Sequence, residues 1–405
     1  MTTLKQTNLH YAWVILAVTF ACLFTASALR SIPGIIMLPL EHEFQWSRET
    51  VSGAVSVNLL LFGLSTPFFG RLMDLYGAKT ITVLMIILMT LGAVGTLFMQ
   101  ESWQLYLLWG IVMGAGSGGT SMVMGAAVIN RWFHQKRGLA LGILGAAFSS
   151  GQLIFTPLIM YLTIQAGWRT AILLMTVLLA LVVLPLVAWL MVDQPANKEL
   201  KPYGANGETL TVLKADSNPM RYVMMRPQFW LLAASFGICG LTTSGLFQTH
   251  LISHGVEHGF PQMTMAVSLG LMGATDIIGT ILSGWLCDRF GKRWPLALYY
   301  AFRGLSLLLL PYVDTTGQLM AFSVMYGLNW LSTVPATAAL TADLFGKQNV
   351  GVVFGWISFS HQVGAAIASF GAGYLHQLVG NYTLAFLISG LFAFVATGLV
   401  VFIKD

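Results

Sequence analysis

Three charged side chains lie deep inside long apolar runs of this 405-residue chain: Arg30, Asp276 and Arg303. If those runs cross a membrane, each charge costs about 2.5–3.5 kcal/mol or more unless it is paired or wet. Each therefore needs a partner or a ligand. Arg30 stands about 18 residues into its run, which is roughly 27 Å along a helix, and Pro33 and Gly34 follow it. The expectation is a guanidinium that binds an anionic group in the outer half of a helix broken at Pro33; the plainer reading is an arginine that snorkels to the outer interface. Asp276 precedes Asp288 by 12 residues and Arg303 follows Arg293 by 10. Counted from the same turn, both lie roughly 15–18 Å deep on adjacent antiparallel helices. That placement predicts a direct buried salt bridge, and a proton-sensitive pair is the second reading.

Uncharged polar groups recur at similar depth. His361, with Gln362 beside it, falls near the middle of its run, as a packing residue or a proton carrier. Asn58, Gln152, Gln248, Tyr326 and Asn329 are further groups that either bond across helices or line a small wet cavity. The stretch "HLISHGVEH" puts His250, His254, Glu257 and His258 at i, i+4, i+7 and i+8, a spacing able to hold a metal on one helical face. Gly255 and the position at a helix end predict a solvated cap instead, with no metal. "GAGSGG" at 114–119 lies inside an apolar run and has no following Lys-Ser/Thr, so it allows close helix packing and is not a phosphate loop. No HExxH, GxSxG or paired-carboxylate arrangement occurs, which argues against an enzyme. Cys22, Cys239 and Cys287 show no disulfide or zinc spacing and read as small buried hydrophobes.

What must position these groups is a set of membrane helices. The chain is 56% hydrophobic and 9% charged, against about 25% charged in soluble domains. Apolar runs near the roughly 20 residues that cross a bilayer recur throughout, without strict β alternation. Backbone groups in lipid must bond internally, so the runs are helices. Twelve spans are expected, at 12–38, 50–70, 80–99, 104–129, 138–164, 169–192, 229–251, 263–285, 295–312, 318–342, 351–374 and 382–403. The first is read as a retained span, since no A-x-A site follows it. The polar stretch 193–226 reads as a linker between an N-terminal six-helix bundle, 1–192, and a C-terminal one, 227–405. Of the 20 Lys and Arg residues, all but Arg30, Arg48, Arg169 and Arg303 fall in the termini or in loops on the termini's side. Positive charge marks the cytoplasmic side, so both termini are expected there. The basic residues are scattered over short loops, and nucleic-acid binding is not expected.

The two halves share a phrase. "GRLMDLYGAK" at 70–79 returns as "GWLCDRFGKR" at 284–293, 214 residues later. "RGLALG" at 137–142 matches "VGVVFG" at 350–355, while Gly151 matches Gly364 and Gly167 matches Gly380, each 213 residues apart. Several matches at one offset imply two bundles of common origin in the same orientation.

The repeated phrase resembles the cytoplasmic signature G-x-L-x-D-R-x-G-R-K of the major facilitator superfamily, with Leu75 and Ala78 departing from it in the first copy. "HYAWVILAVTF", "EFQWSRETVS" and "NRWFHQKRGLALGI" are similar to the monocarboxylate-transporter-like branch. The resemblance implies an all-α integral membrane fold of two pseudo-symmetric six-helix bundles. It implies a secondary active transporter that moves a small organic anion, a carboxylate above all, by alternating access, proton-coupled or by exchange. Arg30, Gln248, Asn329, Tyr326, His361 and Gln152 are then the expected substrate contacts. Asp276 and Arg303 would form the ion pair or coupling pair, and Asp74, Arg71, Asp288 and Arg289 would gate. A monomeric plasma-membrane protein, without a cofactor, is expected. One departure bears on a plain lactate or pyruvate specificity: animal monocarboxylate transporters carry D-x-x-x-R in the eighth helix, and here the stretch is "DIIGT". Efflux of amphipathic compounds is the alternative, although the fourth span lacks an arginine and the fifth lacks G-P-x-x-G-G. A transport-dead sensor is the remote third.

Overall fold

A computed structural model describes residues 10–205, 219–346 and 349–403, and the described residues are helical with no named strand. Long helices follow one another as α1 (Tyr11–Phe44), α2 (Arg48–Tyr76), α3 (Ala78–Leu97), α4 (Ser102–Trp132), α5 (Arg137–Ala166) and α6 (Trp168–Leu190). The second half repeats the pattern with α7 (Pro227–Glu257), α8 (Gln262–Phe290), α9 (Arg293–Leu309), α10, α11 (Val350–Val379) and α12 (Thr383–Val401). Ten of these are long and apolar enough to span a bilayer, α4 with a turn at 120–121. The exceptions are α9, which has 17 residues, and α10, which is broken into α10a (Thr316–Gly327) and α10b (Thr333–Phe345). Twelve passes return the chain to the face where it began. That face, carrying Tyr11 and Val401, is called the terminal face below, and the opposite one the far face.

Local chemistry explains the joints. Within the repeated phrases α2 and α8 end at Gly77 and Gly291, whose φ values of +90° and +78° fall where only glycine sits without strain. Ser47 caps α2 by accepting the amide N–H of Thr50 at 3.2 Å, and Thr315 caps α10a in a capping box with Gln318. Pro33 does not break α1 as the sequence predicts. The helix runs through it and through Pro39, because a packed membrane helix can re-satisfy the backbone groups that proline frees. Spans α4 and α7 instead carry π-helical segments, Tyr106–Met113 and Leu241–Phe247, a deviation frequent at functional sites.

The ends of the stretch read as a linker are anchored. Asp193 Oδ1 accepts the N–H of Lys79 at 2.8 Å, at the start of α3. Tyr203 donates its N–H to Trp132 O at 2.8 Å, and its carbonyl accepts from His134 and Gln135. Its ring packs against His10, Trp13 and Phe133. On the other side, Val223 of the short helix Pro219–Val223 joins the apolar core of the second bundle. Residues 206–218 of the expected linker lie outside the described residues.

Candidate functional site

The two bundles meet mainly along α2 with α11, α5 with α8, and α1 with α7. Around the middle, Ser149 of α5 donates to Asp276 Oδ2 of α8 at 2.6 Å, and Gly63 of α2 lies against Gln362 of α11. Toward the far face, Ser56 Oγ donates to Ala366 O at 2.7 Å and Ser369 Oγ to Ser52 O at 3.2 Å. Gly34 brings the α1 backbone against the carbonyls of Gln248 and Thr249. Toward the terminal face the same surfaces part. Gly145 lies one turn from Ser149, Gly284 three turns from Gly273, which faces Ser149, and Gly355 two turns from Gln362. All three would meet nothing within 4 Å if given a side chain. The bundles therefore touch at the far half and diverge toward the terminal half at these positions.

A cavity of about 60 Å³ lies between the bundles. Arg30, Asn58, Phe62, Phe148, Gln248 and Gln362 are among its walls, and the π-helical segments contribute Trp109, Met113 and Ser244. The Arg30 guanidinium lies 4.0 Å from the centroid of Phe62 and 5.7 Å from that of Phe148. Among the described residues it has no hydrogen bond and no ion pair. Asn58 is already engaged, donating to Trp109 O at 2.6 Å. Across from Arg30, Gln248 Nε2 and Gln362 Oε1 are buried without a partner. The site thus offers one cation, unpartnered amide atoms and aromatic walls. Such a set matches a small anion with an additional polar atom.

Asp276 and Arg303 do not pair with each other; both hold the break in α10. Arg303 is fully buried. Its Nη2 donates to Asn329 O at 2.9 Å and Trp330 O at 2.8 Å, and its Nη1 to Cys239 Sγ at 2.9 Å. Asp276 Oδ1 accepts the N–H of Leu331 at 2.8 Å. The cation therefore meets carbonyls freed where α10a ends, and the anion meets an amide freed just before α10b begins, each charge matching its helix dipole. The expected bridge is replaced by this arrangement because the unwound turn 328–332 occupies the space between the two side chains.

Only two of the six expected substrate contacts, Arg30 and Gln248, line the cavity. Gln152 is buried in the first bundle, where Oε1 accepts from Ser31 at 2.8 Å and Thr156 at 3.0 Å. Tyr326 stacks on Phe247 at 4.0 Å and donates to Thr242 O at 3.3 Å. Asn329 Nδ2 donates to Tyr299 O at 2.8 Å. His361 packs on Phe236 at 4.8 Å, and its neighbour Gln362 enters the cavity in its place. The "HLISHGVEH" stretch is not a solvated cap, for His250 and His254 are buried. His250 Nε2 donates to Ser369 O at 2.8 Å, and Nδ1 lies 3.0 Å from Tyr382 Oη.

Of the gating set, Arg71 and Arg289 are exposed, with Arg289 5.3 Å from the ring of Trp285. The side chains of Asp74 and Asp288 lie outside the described residues.

Known proteins agree with this architecture. A Bacillus subtilis protein described as an uncharacterized MFS-type transporter, YcxA, is 26% identical over 94% of this chain and 92% of its own. Monocarboxylate transporter 13 of Rattus norvegicus is 25% identical over 96% of this chain and 88% of its own, and human monocarboxylate transporter 11 is 25% identical over 94% and 80%. These relatives are transporters. With its residues 19–301 and 269–405 matching that family, and with twelve helical passes in two bundles, the chain belongs to the Major Facilitator Superfamily.

Proposed function

We propose that the protein is a secondary active transporter for a small organic anion, a carboxylate, bound between the bundles. The observation that carries this reading is Arg30: a guanidinium facing a central cavity, without any acceptor among the described residues. A cation at that depth is stabilised by water or by an anion, and the planar fork of arginine fits a carboxylate bidentately. Gln248 Nε2 adds a donor from the opposite bundle. A ligand held by both bundles can bias their relative positions, as alternating access around a central site requires. The cavity volume of about 60 Å³ gives room for roughly four to six water-sized atoms. Carboxylates of two or three carbons have about that many.

Both termini are cytoplasmic in this reading, so the terminal-side divergence is an inward-facing cleft. The protein lies in the plasma membrane, and coupling is to a proton or to a counter-solute. The repeated terminal-face phrases, with Asp74, Arg71, Asp288 and Arg289, would close that cleft when the far face opens. Asp276, held by Ser149 from the other bundle, is the deep acid through which a proton would act.

The test is a solute panel on the purified protein, scored by thermal shift and by uptake into liposomes at two pH values. Short carboxylates should raise the melting temperature and be transported. If only large amphipathic cations do so, the protein is an exporter and the anion site is refuted.

A further inference from the structure

The strongest cluster of titratable groups outside the cavity lies at the far face, between the bundles. At its centre is Arg48 of α2. Its Nε and Nη2 donate to Glu41 of α1, both at 2.7 Å, within its own bundle. Its Nη1 reaches across to Glu257 of α7 and lies 3.0 Å from Nε2 of His376 on α11. His376 Nε2 in turn lies 2.8 Å from Glu257 Oε1. The side chains of His376 and Glu257 keep 17% and 27% exposure, so water on the far face reaches them.

One nitrogen thus has two partners of opposite demand. Arg48 Nη1 can only donate, so Nε2 of a neutral His376 carrying its proton on Nδ1 accepts from it and ties the bundles together. The Glu257 carboxylate can only accept, so a protonated Nε2 donates to it, within the second bundle. Protonation therefore exchanges a bond between bundles for a bond within one. It also sets a second positive charge 3.0 Å from Arg48 and cancels the charge of Glu257. With His376 neutral, the second bundle presents one net negative charge to Arg48, and with His376 protonated it presents none.

The other groups nearby do not perform this exchange. His250 is fixed by Ser369 O and Tyr382 Oη, and Tyr382 places its ring 4.6 Å from His376 and 5.5 Å from the Arg48 guanidinium. His254 packs against Phe386 at 4.7 Å and His258 at 4.1 Å. His258 Nδ1 lies 3.0 Å from His254 O, and Glu49 of α2 lies toward Tyr106.

We propose that His376 is a proton-binding site whose occupation releases the far-face latch between Arg48 and Glu257, so that acid on that side favours opening. Imidazole is the side chain suited to such a change near neutral pH. The inference rests on the transporter reading only in taking this face to open during a cycle. Its test needs no solute, so its failure is distinct from failure of the anion site.

Spin labels at Gln100→Cys and Asp314→Cys, both exposed loop positions on the far face of opposite bundles, report opening as a longer distance. In lipid nanodiscs, lowering the pH from about 7.5 to about 5.5 should raise the ratio of open to closed about fivefold, as expected for a part-exposed charge pair. His376→Gln, whose amide oxygen still accepts from Arg48, should stay closed at both values. His376→Lys, charged throughout, should be open at both. A wild-type distribution unmoved by pH, a His376→Gln protein that keeps the full shift, or a closed His376→Lys protein each overturns the proposal.

Discussion

Two arginines sit deep in this membrane protein, and their surroundings are opposite. Arg303 in the second bundle is fully buried and spends its terminal nitrogens on Cys239 and on two backbone carbonyls of α10. Arg30 in the first bundle is half-buried, meets two aromatic faces and no acceptor among the described residues, and opens onto the cavity. The contrast separates structure from function. A charge whose donors are occupied by backbone holds a shape, whereas a charge whose donors face a cavity is available to a ligand.

Substitutions at four positions would break or sharpen that contrast. Arg303→Gln should have the largest effect, lowering stability by about 3–5 kcal/mol, because it strands buried carbonyls at the α10 break. Combining it with Asp276→Asn should be worse than either single change but cost less than their sum, since both groups hold adjacent residues of one turn. A double variant that recovers stability in thermal melts would restore the direct salt bridge. Arg30→Gln should leave the melting temperature near that of the parent and weaken binding of a short carboxylate about 100-fold, within the range for truncating a desolvated charge pair. Arg30→Lys should keep part of the affinity, retaining charge but losing the fork. Calorimetric binding checks both. The smallest effect is expected from Phe62→Leu, which removes the nearer aromatic face. About 0.5–1 kcal/mol of cation–π stabilisation is lost, and the freed guanidinium should show as a two- to fivefold change in affinity with little change in melting temperature.

Much of this was legible in the residues. Twelve spans and two matching halves followed from apolar run length and a fixed repeat offset, because lipid allows little else. Depth was legible too: counting along helices set Asp276 and Arg303 level with each other, and both reach one turn of α10. Direction was not. His361 and Gln362 differ by one residue and about 100° around the helix, and only tertiary packing selects Gln362 for the cavity. The partner of Asp276 and Arg303 was hidden because α10 reads as one apolar run. A signal existed in "GLNWLSTVP", where Gly327, Asn329 and Ser332 favour a turn and Pro335 suits a restarting helix. Equally, "HLISHGVEH" looks solvated by composition, and its burial depends on Tyr382 and Phe386 arriving from α12 and its approach.

The anchored ends of the inter-bundle stretch bear on covalent continuity. Asp193 and Tyr203 fasten the outgoing chain to the first bundle, and Val223 fastens the incoming chain to the second. Each half therefore carries its own stitched hem. A polypeptide severed between 206 and 218 keeps both hems, and two co-expressed fragments retain every bond described here, including those by which the halves recognise each other.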